Sequence, residues 1–185
     1  MITFADEDVT VKGDFVLFWR GWPAQWFRNP FVADGVGYTC CEQYMMAEKA
    51  RVFGDWETLG KILAATSPKE QKALGRAIRG FEEATWKSVC RGIVYAGNLA
   101  KFQQDAELGA KLLATGELTL VEASPVDTVW GIGLAADHPD AVKPAAWRGT
   151  NWLGMALMQV RRTLRGLPAD AELVRQLEAR RVLKR

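Results

Sequence analysis

Tyr38-Thr39-Cys40-Cys41-Glu42-Gln43-Tyr44-Met45-Met46-Ala47-Glu48-Lys49-Ala50-Arg51 is the stretch whose conformation decides the fold. It holds few helix breakers and begins abruptly on a polar residue, with Glu42 three positions after Thr39. That spacing is a capping box: Thr39 accepts from the backbone N–H of Glu42, and the Glu42 side chain reaches back to Thr39. The pattern predicts a helix that closes near Gly54, a residue suited to a left-handed terminator. In such a helix Glu42 and Lys49 lie two turns apart, within roughly 20° of each other on one face. Tyr38, Tyr44, Met45 and Met46 supply apolar surroundings. A carboxylate and an amine so aligned form an acid/base–nucleophile pair. Taken singly, they are a helix cap and a solvated lysine.

On the N-terminal side, Phe15-Val16-Leu17-Phe18-Trp19 reads as a buried strand, broken by Arg20-Gly21-Trp22-Pro23. An aromatic loop runs from Gln25 to Phe31, and a short strand from Phe31 enters a turn at Asp34-Gly35. On the C-terminal side a helix covers Trp56 to Ala65. Ser67-Pro68-Lys69-Glu70 starts another, running to about Arg79 with Gly80 closing it. Glu82 to Lys101 carries apolar residues near the helical period, and Asp105 caps a helix that stops at Thr115-Gly116. Leu118 to Ala123 is a strand, Ser124 to Gly133 an irregular loop, and Ala135 to Pro144 a surface excursion or lid. Thr150-Asn151 opens a helix to about Leu164, with Leu153, Leu157 and Val160 on one face. A charged helix from Asp170 to Leu183 follows Gly166 and Pro168.

The expected fold is α+β: a predominantly helical single domain with a few short strands, over residues 1–167. Residues 168–185 form a charged helix packed on that domain or extending from it. Strands do not alternate with helices as a parallel sheet requires, and neither GxGxxG nor P-loop spacing is present.

Composition narrows the function classes. The 185 residues, 49% hydrophobic and 25% charged, suit a soluble globular chain, and no apolar run nears the roughly 18 residues of a membrane span. Met1 to Asp8 lacks the basic and apolar regions of a signal peptide. Cys40, Cys41 and Cys90 have no metal-ligand spacing, so reduced thiols, a cytoplasmic location and no metal are expected. A net charge of +2 does not by itself mark a nucleic-acid binder. Tryptophan is unusually abundant, eight residues, with Trp19, Trp22 and Trp26 crowded together. They form either stacking surfaces for bases and sugars or a large aromatic core.

Two further segments carry chemistry. Asp127-Thr128-Val129-Trp130-Gly131-Ile132-Gly133 follows a strand; Gly131 and Gly133 allow backbone N–H groups close to a ligand, and Asp127 orients a ribose or stabilises a developing cation. A tight turn with an Asx cap is the plainer alternative. Trp147-Arg148-Gly149-Thr150-Asn151 ends at a helix N-terminus, a phosphate seat assisted by Arg148 or an ordinary capped helix. His138, the one histidine, is read as solvent-exposed, which disfavours His-based triads; Cys40 and Cys41 lack a nearby base.

Taken in order from Phe15 to Leu164, these segments resemble the NADAR family of YbiA-like N-glycosidases linked to NAD and ADP-ribose metabolism. The resemblance rests on Phe18-Trp19 with Pro30-Phe31, Cys41 through Ala50, and Pro68-Lys69-Glu70 with Leu74-Gly75-Arg76. It continues through Trp86, Lys101-Phe102, Leu113 to Gly116, Val121-Glu122-Ala123, Asp127 to Gly133, and Gly149 to Gly154 with Leu157-Met158. Ala24-Gln25 stand where the family commonly has Ser-Asn, and the tail after Pro168 lies outside the resemblance.

The resemblance implies cleavage between ribose C1 and an exocyclic nitrogen, without a cofactor. It implies ADP-ribosyl-guanine in nucleic acid, DNA or RNA, as substrate, or else the phosphoribosylamino-pyrimidines of riboflavin synthesis. It also makes Lys49 the central catalytic group, with Glu42 and Asp127 handling protons. Trp19, Tyr44, Trp86, Trp130, Gly131, Gly133, Arg148 and Asn151 would contact the substrate. Either the sugar opens and Lys49 forms a Schiff base at C1, or Glu42 and Asp127 activate water directly. Two other classes remain: a non-catalytic ADP-ribose reader, and a nucleic-acid module using Arg175, Arg180, Arg181, Lys184 and Arg185 on an otherwise solvated amphipathic helix.

Overall fold

The computed structural model describes residues 3–183, so Met1 of the acidic N-terminus and Lys184 and Arg185 of the basic tail lie outside the described residues. In chain order the elements are β1 (Val9–Lys12), β2 (Phe15–Phe18), β3 (Phe31–Ala33), β4 (Val36–Tyr38), α1 (Cys41–Val52), α2 (Trp56–Ala64), α3 (Pro68–Arg76), α4 (Glu83–Lys87), α5 (Cys90–Gln104), α6 (Ala106–Ala114), β5 (Thr119–Glu122), α7 (Trp152–Leu164) and α8 (Ala171–Leu183). The fold is α+β and predominantly helical. Its chain groups into two compact units, each assembled from distant segments: Met1–Phe27 with Phe102–Pro168, and Arg28–Lys101 with Ala169–Arg185.

The first unit is built on a three-stranded sheet in the order β1-β2-β5. β1 was not expected, because only Val9 of its four residues is buried and its alternation is weak. Against expectation β2 and β5 pair in parallel, Leu17 opposite Val121, although more than 100 residues separate them in the chain. That pairing follows from where Leu17 and Val121 bury. With Ala123, Ile132, Leu134 and Ala141 they form an apolar cluster. α7 packs on β5 through Leu153, Leu157 and Val160, all fully buried, as their spacing predicts. Asp105 caps α6 by accepting from Leu108 N–H at 2.9 Å.

The segment from Ala135 to Pro144 is not a loose lid. Ala141 is in the cluster, its carbonyl accepts from Trp147 Nε1 at 2.9 Å, and Lys12 Nζ donates to the Ala136 carbonyl at 2.8 Å. Trp22 belongs to the aromatic core, edge-on to Phe102, with Nε1 donating to the Phe4 carbonyl. Trp19 and Trp26 remain about half exposed.

The second unit is organised around α1, onto which α2 and α3 pack. Ten of its twelve residues are buried, which is why the stretch shows little amphipathic contrast. The β3–β4 hairpin turns at Asp34 (φ 51°) and Gly35 (φ 76°), two left-handed residues in succession, the conformation that Asp-Gly favours.

The capping box does not form. The N-cap is Cys40, not Thr39, and the first helical bond runs from Tyr44 N–H to the Cys40 carbonyl. The residue that reaches back is Gln43, whose Oε1 accepts from Thr39 N–H at 2.7 Å and Thr39 Oγ1 at 3.0 Å. The Gln43 amide also donates to the Ile62, Leu63 and Ala65 carbonyls where α2 ends. The helix stops as expected, with Gly54 at φ 66°.

α3 ends at Arg76 rather than Arg79, and Ser67 makes no side-chain cap. The single helix expected over Glu82 to Lys101 is two, α4 and α5. The break comes where Val89 N–H bonds the Trp86 carbonyl in a tightened turn and Ser88 Oγ donates to the Thr85 carbonyl.

Candidate active site

Lys49 is the ninth residue of α1, two turns beyond Glu42. One N–H of its amine donates to the Gly75 carbonyl, near the end of α3, at 2.9 Å. The nitrogen sits 4.1 Å from the centre of the Phe81 ring and 5.7 Å from that of Trp86. Among the described residues no carboxylate comes within ion-pair distance of it, although lysine normally finds one or stays in water. Burial holds its pKa below the ordinary lysine value, and the nearby Arg76 charge adds to that. The Gly75 carbonyl and the two rings attract an ammonium but carry no full negative charge to offset those effects.

Gly75 makes this approach feasible. A Cβ there would lie 1.9 Å from Met46 Sδ, so only glycine lets α3 press against α1 and bring its carbonyl to Lys49. Phe53 supports the cage by meeting Phe81 edge-on at 5.3 Å. Gly75, Arg76 and Phe81 were not anticipated as site residues. The Leu74-Gly75-Arg76 motif was the signal available, but nothing local shows that Phe81 returns over α1.

Glu42 is 2% exposed and, having no capping role, is a carboxyl carried into the interior by the second residue of α1. Seven residues of helix rise separate it from Lys49 by about 10 Å along the axis, so the two do not pair directly. Cys41 beside it donates its thiol to Asn98 Oδ1 at 3.6 Å, and burial pushes that thiol up to about 12 while Lys101 pulls the other way. Cys90 is likewise pushed up by burial, to about 11. Both are neutral thiols near neutral pH and poor nucleophiles.

Tyr44 is expected as a substrate contact, yet its ring is buried. It packs against Gly97, where a Cβ would lie 2.5 Å away, and its hydroxyl accepts from Arg180. That side chain is part of the core of the second unit.

In the first unit, Asp127, Trp130, Gly131, Gly133, Arg148 and Asn151 do gather, through their backbones. Asp127 Oδ1 accepts from the N–H groups of Val129 and Trp130 at 2.9 and 2.7 Å, an Asx turn. Gly131 and Gly133 are not open to a ligand. A Cβ on Gly131 would meet the Glu122 carbonyl at 2.9 Å, and one on Gly133 would meet the Arg148 Cβ at 2.9 Å. Ile132 and Gly133 N–H groups bond the Glu122 and Asp127 carbonyls.

The start of α7 is occupied as well, which corrects the phosphate-seat expectation. The N–H groups of Thr150, Asn151, Trp152 and Leu153 donate to the Thr128, Gly131, Val129 and Trp130 carbonyls. The buried Asn151 amide bridges β5, donating to Leu120 at 2.9 Å and accepting from Glu122 N–H at 3.0 Å. Those contacts hold it at φ 54°, a conformation asparagine tolerates. Trp130 meets Trp152 edge-on at 5.7 Å, and Arg148 is exposed. Trp19 is also exposed, with Arg20 over its ring. His138 is half-buried rather than free in solvent, its Nδ1 accepting from Asp140 N–H at 3.1 Å.

Known proteins share this sequence and fold. N-glycosidase R617 of Acanthamoeba polyphaga mimivirus is 44% identical over 143 residues, 75% of this chain and 84% of that protein. N-glycosidase YbiA of Escherichia coli K12 is 33% identical over 152 residues, covering 82% and 81%. The NMR structure of E. coli YbiA superposes with a TM-score of 0.69 at 27% identity, over 86% of this chain and 89% of that one. A maize relative named riboflavin biosynthesis protein PYRR, chloroplastic, is 36% identical over 118 residues, 61% of this chain but 17% of that protein. With the NADAR domain profile matching residues 8–165, α1 and its amine cage included, the chain belongs to the NADAR domain family.

Proposed function

We propose that this N-glycosidase cleaves the bond between ribose C1 and an exocyclic amine, removing ADP-ribose from the amino group of guanine in nucleic acid. The observation that carries the reading is the Lys49 amine, held against Phe81 and Trp86 beside Arg76, with no carboxylate among the described residues within ion-pair distance. An amine attacks carbon only when uncharged, and burial beside a second cation favours that uncharged form. The opened ribosylamine presents C1 as an imine to the base nitrogen. Lys49 adds to C1 and gives up one N–H proton to the base nitrogen. The base leaves as a neutral amine after taking a second proton from Glu42, and a protonated Lys49–C1 imine remains, whose hydrolysis returns the proton to the Glu42 carboxylate. Water then hydrolyses that imine, returning the amine and releasing the sugar aldehyde, which recloses; one water is consumed overall. Trp86 flanks the sugar, and Asp127 orders its loop.

Phosphoribosylamino-pyrimidines present the same bond, and the riboflavin-named maize relative favours them as the second substrate class. A hydrolysis assay on an oligonucleotide bearing ADP-ribosyl-guanine, run beside a phosphoribosylamino-pyrimidine, decides between them. ADP-ribose release from the first substrate alone supports the reading; turnover of the pyrimidine alone overturns its substrate.

The amine route fixes the sign of the pH dependence. Activity rises with pH as Lys49 loses its proton, with an apparent pKa below the ordinary lysine value of about 10.4. In Arg76→Gln one cause of the depression is gone. The limb moves to higher pH, activity near neutrality falls, and the alkaline plateau is retained. Stability follows the same proton: the unfolded chain binds more of it between the depressed and ordinary values, so stability rises with pH across that window. A profile unmoved by the Arg76 substitution counts against the amine.

A further inference from the structure

α8 lies beyond the residues matched by the family profile, yet it belongs to the second unit, and its polar residues engage the rest of that unit at two places. The first is α5, where Gln176 Oε1 accepts from the Gly92 N–H at 3.0 Å. A Cβ on Gly92 would lie 2.9 Å from Gln176 Cβ, so glycine is what admits the helix. The second is Arg180, 8% exposed, one of the tail residues that the nucleic-acid alternative would place on phosphate. Its guanidinium donates to the Tyr44 hydroxyl and, at 2.8 Å, to Asp34 Oδ2 in the β3–β4 turn. Its Nε lies 3.1 Å from Glu48 Oε2. Glu48 is 1% exposed and is paired on its other oxygen with Arg51 at 2.7 Å, and Arg51 in turn donates to the Tyr38 hydroxyl at 2.9 Å.

Glu48 precedes Lys49. A carboxylate buried there is stable only when countered by paired cations, and a planar guanidinium with five donors can meet a hydroxyl and two carboxylates at once. From this geometry we infer that Arg180 is a positioning residue: the C-terminal helix fixes the turn of α1 that carries Lys49, and with it the placement of the amine. This inference rests on Lys49 being the nucleophile. Catalysis of this kind is sensitive to displacements of about 1 Å, and Arg180, unlike Arg51, lies beyond the residues that the NADAR profile matches.

The test uses the full chain with Arg180→Met and Arg180→Lys, measuring melting, kcat, KM and hydrogen exchange across α1. The expected result is a folded Arg180→Met protein whose kcat falls about ten- to a hundredfold while KM stays within about twofold. Exchange rises in α1, and Arg180→Lys recovers part of kcat by restoring charge without the three-way fork. Wild-type kcat and unchanged α1 exchange in Arg180→Met overturn the inference, as does a loss confined to KM. If Arg180→Met does not fold, the Arg180→Lys kcat and α1 exchange decide by the same criteria. Should Lys49→Met retain wild-type activity, the catalytic reading fails on its own, while exchange in α1 still reports whether Arg180 anchors that helix.

Discussion

Lys49→Met is expected to abolish hydrolysis, lowering kcat by roughly 10⁴-fold or more, because no other described group stands ready to replace a lost nucleophile at the same place. The thermal midpoint should stay level or rise. The wild-type amine sits against Phe81 and Trp86 with Arg76 nearby and, among the described residues, no carboxylate within ion-pair distance, so its charged form is disfavoured in the folded chain. Methionine fills a similar stem volume without the charge. Parallel measurements of turnover and melting therefore separate a catalytic lysine from a structural one, which would lower the midpoint on removal. Borohydride added during turnover should reduce the transient imine and leave the sugar on Lys49, visible as a mass increase confined to the α1 peptide. A wild-type enzyme that turns over without any trapped adduct points instead to direct attack by water.

Glu42→Gln should lower kcat by roughly 10²–10⁴-fold, the range for loss of a positioned proton donor, with a smaller change in KM. Gln keeps the shape and hydrogen-bonding capacity of Glu but cannot cycle a proton. Since Glu42 is not the helix cap, its removal leaves the start of α1 intact; that end is held by Gln43 and Thr39. A melting midpoint that falls while kcat is retained would make Glu42 a buried structural carboxyl. Glu42 lies about 10 Å along the helix from Lys49.

Much of α1 was legible in advance, but for partly mistaken reasons. The S/T-x-x-E spacing located the start of α1 to within two residues, yet the partner of Thr39 is Gln43, one position on. Both side chains can reach back to Thr39, and the choice fell to Gln43 because its amide also closes the end of α2. The Asp127–Gly133 loop was correctly placed after a strand, and its glycines were read as admitting a ligand to the backbone. What approaches is the chain itself, since the loop carbonyls take the first N–H groups of α7. Backbone groups that look available in isolation are rarely left so once buried.

Local order along the chain determined the helices, their main stops and the family motif, because periodicity, Asp105 and Gly54 act within a few residues of themselves. The alignment of Glu42 and Lys49 on one helix follows from the same short-range geometry. Only the tertiary structure decided that β2 and β5 pair in parallel, that Phe81 and Gly75 enclose the amine, that Tyr44 belongs to the core, and that Arg180 returns to Glu48. Those outcomes join residues tens to more than a hundred positions apart. They are chosen by which burial leaves the fewest polar groups unsatisfied, a condition that no window of sequence contains.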